Sequence, residues 1–194
     1  MKQEDIRKVN ELQPDFAGFV FAHTRHFVTH EQAREMKALL DPKIQAVGVF
    51  VDAPEEEVIG LLNAGIIDLA QLHGSETDET VARIQNATGK RVIKACIMKD
   101  EDSVKQAVPD ADYLLYDAGK GEGRTFNWEW LKESPEKPFF LAGGLTPENV
   151  AEGIRAVQPW AVDVSSAVED EDLSKNYEKM KRFIEAARSV RYEG

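Results

Sequence analysis

The sequence predicts an α/β fold: a (β/α)8 TIM-type barrel in which seven parallel strands can be read and strand 1 is missing. Two observations carry that prediction. Short apolar runs alternate with longer amphipathic stretches along the whole chain, the pattern of strands joined by helices in a parallel sheet. Two turns late in the chain, Leu141–Asn149 and Asp163–Glu169, each follow an apolar run and open a helix-like segment. The loops after the last two strands of such a barrel commonly hold a phosphate. Length agrees with one domain, 1–194: the 194 residues can bury a sizeable core. A full barrel typically takes about 250 residues, with ~200 the short extreme. No linker, low-complexity segment or tandem repeat interrupts the pattern.

The elements follow in order. Ile6, Val9 and Leu12 recur at near-helical spacing, predicting a helix over Gln3–Leu12 that stops before Pro14. Asp15–Phe21 reads as a strand. Thr29 with Gln32 forms a capping box for a helix carrying Ala33, Met36, Leu39 and Leu40. Ile44–Val51 is the next strand. Pro54 and the Glu55–Glu57 run suit a helix start, and Gly65 lies just past that helix. Ile66–Leu72, Val92–Ile97, Ala111–Tyr116, Phe139–Ala142 and Trp160–Val164 complete the strands, and the last helix spans Tyr177–Val190. The chain thus opens on a helix where a barrel opens on a strand. Asp15–Phe21 and Trp160–Val164 are then expected to have unpaired edges, which template association; a homodimer through those edges is one expectation.

Composition narrows the partners. A net charge of −11 argues against nucleic acid and anionic membrane surfaces. No apolar run approaches ~18 residues, and Met1–Asp5 lacks the apolar core of a signal peptide. The single cysteine, Cys96, excludes an internal disulfide and fits a reducing cytoplasm; it reads as a small core hydrophobe. No Cys/His spacing suggests a metal. His23, His26 and His30 decorate one loop and helix start, and Trp128, Trp130 and Trp160 read as packing residues.

The chemistry is expected at strand ends. Gly143 and Gly144 let the backbone approach a ligand, and N–H groups at a helix start attract an anion. Thr146 with Pro147 suits a helix start. Asp117 closes a strand, where barrel enzymes keep catalytic groups, although an Asp-Ala-Gly turn would use an Asp as a loop cap just as well. His73 ends another strand, as a substrate contact or an orienting group. Gly119–Arg124 reads as a loop that closes over substrate, or as a flexible connection.

Several segments taken together are more specific than any one of them. Gly18-Phe19-Val20-Phe21, Gln71-Leu72-His73-Gly74, Leu115-Tyr116-Asp117-Ala118-Gly119, Thr125-Phe126-Asn127-Trp128, Leu141 to Val150 and Asp163 to Glu169 stand in an order that closely resembles the phosphoribosylanthranilate isomerase family, from about Asp5 to Arg188. The resemblance implies an Amadori rearrangement of N-(5-phosphoribosyl)anthranilate to 1-(2-carboxyphenylamino)-1-deoxyribulose 5-phosphate in tryptophan biosynthesis, without cofactor or metal. It makes Asp117 the general acid. Phosphate falls to the backbone N–H groups of Gly143, Gly144, Ser165, Ser166 and Ala167, where Ala167 replaces a glycine usual in the family. If that position needed positive φ, the alanine would distort the loop. The family's general base is a cysteine in a Lys-Ile-Cys-Gly stretch on the first strand. Lys2–Ile6 matches sequence just downstream of it, so that stretch is not among these residues. The family's Arg for the anthranilate carboxylate aligns with His26, beside Arg25. A phosphosugar-binding barrel with impaired catalysis, by truncation or by descent, is one alternative. Another phosphate-binding barrel enzyme is the second; an indole-glycerol-phosphate synthase would need a catalytic Lys and Glu, and only Lys94 is suggestive.

Overall fold

The computed structural model describes residues 1–106, 110–119, 125–131 and 137–190. Among them are seven strands, parallel in every recorded pairing, in the order of the chain. The chain divides into two compact units: Met1–Lys94 with Val108–Asp112, and Ala95–Ala107 with Tyr113–Gly194.

The first unit runs α1 (Asp5–Leu12), β1 (Phe16–Val20), α2 (His30–Leu39), β2 (Gln45–Phe50), α3 (Glu55–Asn63), β3 (Leu69–Leu72), α4 (Asp78–Thr88) and the start of β4 (Val92–Ile97). α1 begins two residues later than the sequence suggests. Asp5 is fully buried, and its carboxylate accepts the Lys2 N–H at 2.8 Å, which fixes the first turn. The helix ends at Gln13, whose φ of 50° turns the chain away while its N–H still reaches Val9. The predicted capping box is present on α2: Gln32 N–H donates to Thr29 Oγ1 at 3.2 Å and Thr29 N–H to Gln32 Oε1 at 2.8 Å. Such a cap contributes about 1 kcal/mol. Gly65 follows α3 at φ 67°.

Register is set by apolar parity. Phe16 pairs with Gln45, Val47 with Leu69 and Ala70 with Val92, so Phe19, Phe50, Ile67 and Ile93 all become solvent-free. β3 begins at Leu69 rather than Ile66. The reason lies in Asp68, whose carboxylate accepts the Ala46 N–H at 2.8 Å and pairs with Lys37. Ile66 and Ile67 are therefore buried ahead of the ladder rather than in it. Asp112 does the same to Val92, at 2.8 Å, and β5 starts at Tyr113 instead of Ala111. After β1 the chain turns back, and Val28 N–H donates to the Val20 carbonyl at 2.9 Å.

The second unit carries β5 (Tyr113–Asp117), β6 (Phe139–Leu141), α5 (Val150–Val157), β7 (Ala161–Val162) and α6 (Tyr177–Ser189). Short 3₁₀ turns lie at Glu101–Gln106, Trp128–Leu131 and Ser166–Val168. Leu114 pairs with Phe139 and Phe140 with Ala161, over a core that includes Leu115, Leu131, Leu141 and Val150. β7 is shorter than Trp160–Val164, although Trp160 and Asp163 still donate to Phe139 and Leu141, both at 2.9 Å. Trp160 packs less completely than expected: it stacks on Tyr113 at 4.6 Å between ring centroids yet stays half exposed. Cys96 is buried. Tyr116 is wholly buried and its hydroxyl has no hydrogen-bond partner among the described residues; burial raises its pKa well above the ordinary phenol range. β1 and β7 end the strand order.

Candidate functional site

In the second unit, β5, β6 and β7 lie side by side, and the loop after β6 touches the end of β5. Asp117 is the last residue of β5, half-buried, and its Oδ1 accepts the Gly119 N–H at 2.8 Å. Its carbonyl accepts from Met98 N–H at 2.8 Å, and Ala142 N–H donates to the neighbouring Tyr116 carbonyl at the same distance. Gly143 follows with φ 80°. A Cβ there would lie 2.3 Å from the Ala118 nitrogen and 2.8 Å from Asp117 Oδ1. Only glycine lets the two loops touch this closely, and the contact sets the Asp117 carboxylate against the Gly143 backbone.

Gly144, at φ 65°, is held by Asn149. That side chain donates to the Gly144 carbonyl at 3.0 Å and accepts the Thr146 N–H at 2.7 Å. The predicted start at Thr146-Pro147 is present as a cap: Thr146 Oγ1 accepts the Glu148 N–H at 3.2 Å and its carbonyl the Val150 N–H at 3.0 Å, one turn ahead of α5 at Val150.

The loop after β7 has its polarity sorted. The Ser165 carbonyl accepts from Lys175 Nζ at 3.1 Å and, longer, from Val168 N–H at 3.4 Å. Ser166 O accepts from Glu169 N–H, Val168 O from Asn176 N–H, and Glu169 O from Lys179 Nζ at 2.6 Å. The N–H groups of Ser165, Ser166 and Ala167, like those of Gly143 and Gly144, donate to no group among the described residues. At Ser165 and Ser166 the carbonyls are engaged while the N–H groups are not. Ala167 does not take positive φ, so it sits in the Ser166–Val168 turn without the distortion that replacing a glycine threatened.

The remaining candidates belong to the first unit. His73 Nδ1 lies 3.0 Å from the Gln71 side-chain amide, which orients the ring. The loop it starts is pinned by Glu76, which accepts from Asp52 N–H (2.9 Å), Gly74 N–H (2.9 Å) and Lys94 Nζ (3.1 Å). Lys94 is buried and also donates to the carbonyls of Gly74 and Leu72, so it is a structural cation and not a synthase-type catalytic lysine. Ser75 donates its hydroxyl and N–H to Asp52 and holds that carboxyl below its ordinary pKa. Arg25 is exposed and its Nε donates to His26 Nε2 at 3.2 Å. That bond links the two side chains. The Gly119–Arg124 loop lies outside the described residues beyond Gly119. Among the described residues no group of three or more His, Cys, Asp or Glu side chains is placed to hold a metal, and no helix is long and apolar enough to cross a membrane.

Sequence reasoning found the loops but missed Asn149, Glu76 and the Lys175–Glu169 pair. Asn149 stood inside a quoted motif, so a side-chain cap was legible there. Nothing in the local pattern marked Lys175.

The parallel strand order and the strand-end loops define a TIM-type α/β protein. The family model for N-(5'phosphoribosyl)anthranilate (PRA) isomerase matches residues 1–186. An N-(5'-phosphoribosyl)anthranilate isomerase of Lacticaseibacillus casei strain BL23 is 45% identical over 190 residues, which is 97% of this chain and 91% of that protein. The Thermotoga maritima phosphoribosylanthranilate isomerase structure superposes with a TM-score of 0.89 at 32% identity, covering 98% and 96% of the two chains. A phosphoribosylanthranilate isomerase structure in complex with reduced 1-(o-carboxyphenylamino)-1-deoxyribulose 5-phosphate gives 0.87 at 32% identity, covering 97% and 95%; the Thermotoga protein is described as dimeric. This chain belongs to the phosphoribosylanthranilate isomerase family.

Proposed function

We propose that the chain is the isomerase of tryptophan biosynthesis that converts N-(5-phosphoribosyl)anthranilate to its 1-deoxyribulose 5-phosphate, and that Asp117 and the two loops beside it do the acid and phosphate work. The carrying observation is the set of undirected N–H groups on Gly143, Gly144, Ser165, Ser166 and Ala167, on the loops after the two strands that follow the one Asp117 closes. Peptide N–H groups grip a phosphate dianion without a side-chain cation. With the phosphate held there, the Asp117 carboxyl gives its proton to the furanose oxygen. The C1′–O bond breaks, the nitrogen lone pair forms C1′=N, and loss of the C2′ proton gives an enolamine that tautomerises to the ketone. In the family a cysteine takes the C2′ proton. The Lys-Ile-Cys-Gly stretch that carries it is not among these 194 residues. Arg25, His26 and His73 are assigned to substrate binding by position in the family pattern, the first two toward the aryl carboxylate.

We read residues 1–194 as one isomerase domain acting in the cytoplasm, with the outer edges of β1 and β7 available for pairing in a homodimer.

The test follows the loss of anthranilate fluorescence on adding phosphoribosylanthranilate to this chain, and to the same chain extended by a Lys-Ile-Cys-Gly strand. Turnover in the extended form is the expected result. Absence of turnover in both, with D-ribose 5-phosphate still raising the melting temperature by mass action, would establish a phosphosugar-binding barrel instead.

A further inference from the structure

The hairpin that follows the second loop carries a buried ion pair with no place in the reaction. Glu169 and Lys175 form an antiparallel bridge, closed by a turn in which Asp170 N–H donates to the Ser174 carbonyl at 2.9 Å. Their side chains are 4% and 11% exposed, with Lys175 Nζ 2.7 Å from Glu169 Oε1. Burying two charges is costly and a hydrophobic pair would often serve stability as well. Lys175 also reaches out of the pair to one further atom that matters, the carbonyl oxygen of Ser165, at 3.1 Å.

We infer that Lys175 is a positioning residue of the phosphate cradle: its ammonium, balanced by Glu169, fixes the Ser165–Ser166 peptide so that the Ser166 N–H faces the ligand. This rests on the phosphate reading above and deepens it. A trans peptide is planar, with C=O and N–H on opposite sides. Holding the Ser165 oxygen therefore aims the Ser166 N–H the other way. Ser165 has φ −124° and ψ −80°, neither helical nor extended, and besides Lys175 only the long 3.4 Å bond from Val168 N–H holds its carbonyl among the described residues. Lys179 repeats the device one turn on, donating to the Glu169 carbonyl. The pair thus turns acceptors inward and leaves donors for an anion. Glu169 is as necessary as the lysine, because an unbalanced ammonium at this place would hold any anion and not a geometry.

The experiment compares inorganic phosphate and D-ribose 5-phosphate affinity, by calorimetry, in the parent chain, K175M, K175R and the double variant E169Q/K175M. The double variant removes both charges and leaves no buried charge unpaired, so it keeps the test open if K175M fails to fold. Expected is a phosphate affinity at least 5-fold weaker in K175M and in the double variant, with near-parent binding in K175R. In whichever chain turns over, KM should rise by a similar factor while kcat stays within 2-fold, the signature of lost uniform binding. Amide NMR on the unaltered chain gives a further reading: the Ser166 N–H should shift on phosphate addition. Parent-like affinity in a folded double variant, or a Ser166 amide indifferent to bound phosphate, overturns the inference. Failure of the parent chain itself to bind either ligand overturns the phosphate reading instead.

Discussion

In the chain extended by the Lys-Ile-Cys-Gly strand, Asp117→Asn is expected to leave D-ribose 5-phosphate binding as in its parent and to slow isomerisation of phosphoribosylanthranilate about 10³-fold, within the range that general acid catalysis contributes. The amide keeps the shape of the carboxyl and an oxygen for the Gly119 N–H, so the loop has no reason to move, but it has no acidic proton to give to the ring oxygen. Fluorescence turnover and a melting curve check the two halves separately. Retained turnover in a folded variant would remove Asp117 from the mechanism. Loss of turnover together with loss of ribose 5-phosphate binding would assign the residue to loop structure.

The second large effect is expected at Gly143. Gly143→Ala places a methyl group 2.3 Å from the Ala118 nitrogen and 2.8 Å from both Ala118 Cβ and Asp117 Oδ1, at φ 80°. Backbone cannot yield as a side-chain end can. The left-handed conformation costs about 1–2 kcal/mol and the overlap about 1–3 kcal/mol more. We expect urea midpoints to report a loss of about 2–5 kcal/mol from these two sources, and turnover to fall at least 10-fold as the loops separate. Gly65→Ala is the comparison, since Gly65 has φ 67° with nothing within 4 Å of a Cβ. It should show the conformational cost alone and leave turnover unchanged. Equal losses in the two variants would mean that the Gly143 contact with Asp117 has no functional weight.

The fold was legible because burial parity and helix signals act locally. Thr29 and Gln32 announced α2, and the apolar runs announced each strand. Boundaries slipped where a side chain replaced a ladder bond: Asp68 and Asp112 each accept an N–H at the start of the preceding strand, from Ala46 and Val92, a tertiary act that no run of apolar residues encodes. The site was legible to the extent that it is made of backbone. Gly143, Gly144 and the Ser165–Ala167 loop stand out by composition. What holds them does not. Lys175 reads as an ordinary surface lysine until the hairpin folds it onto Glu169, and Asn149 acts across the turn that delays α5. His26 in place of an arginine was visible, but its coupling to Arg25 needed coordinates.

A cradle of peptide donors also has a consequence for acidity. An amide N–H has no proton to lose over the range in which enzymes work, so the grip on a phosphate monoester cannot be switched by titrating the donors. A monoester itself loses charge on acidification, because its second ionisation falls near pH 6. The charge that the loops hold is thus set by the solution, while the shape that holds it is set by the chain.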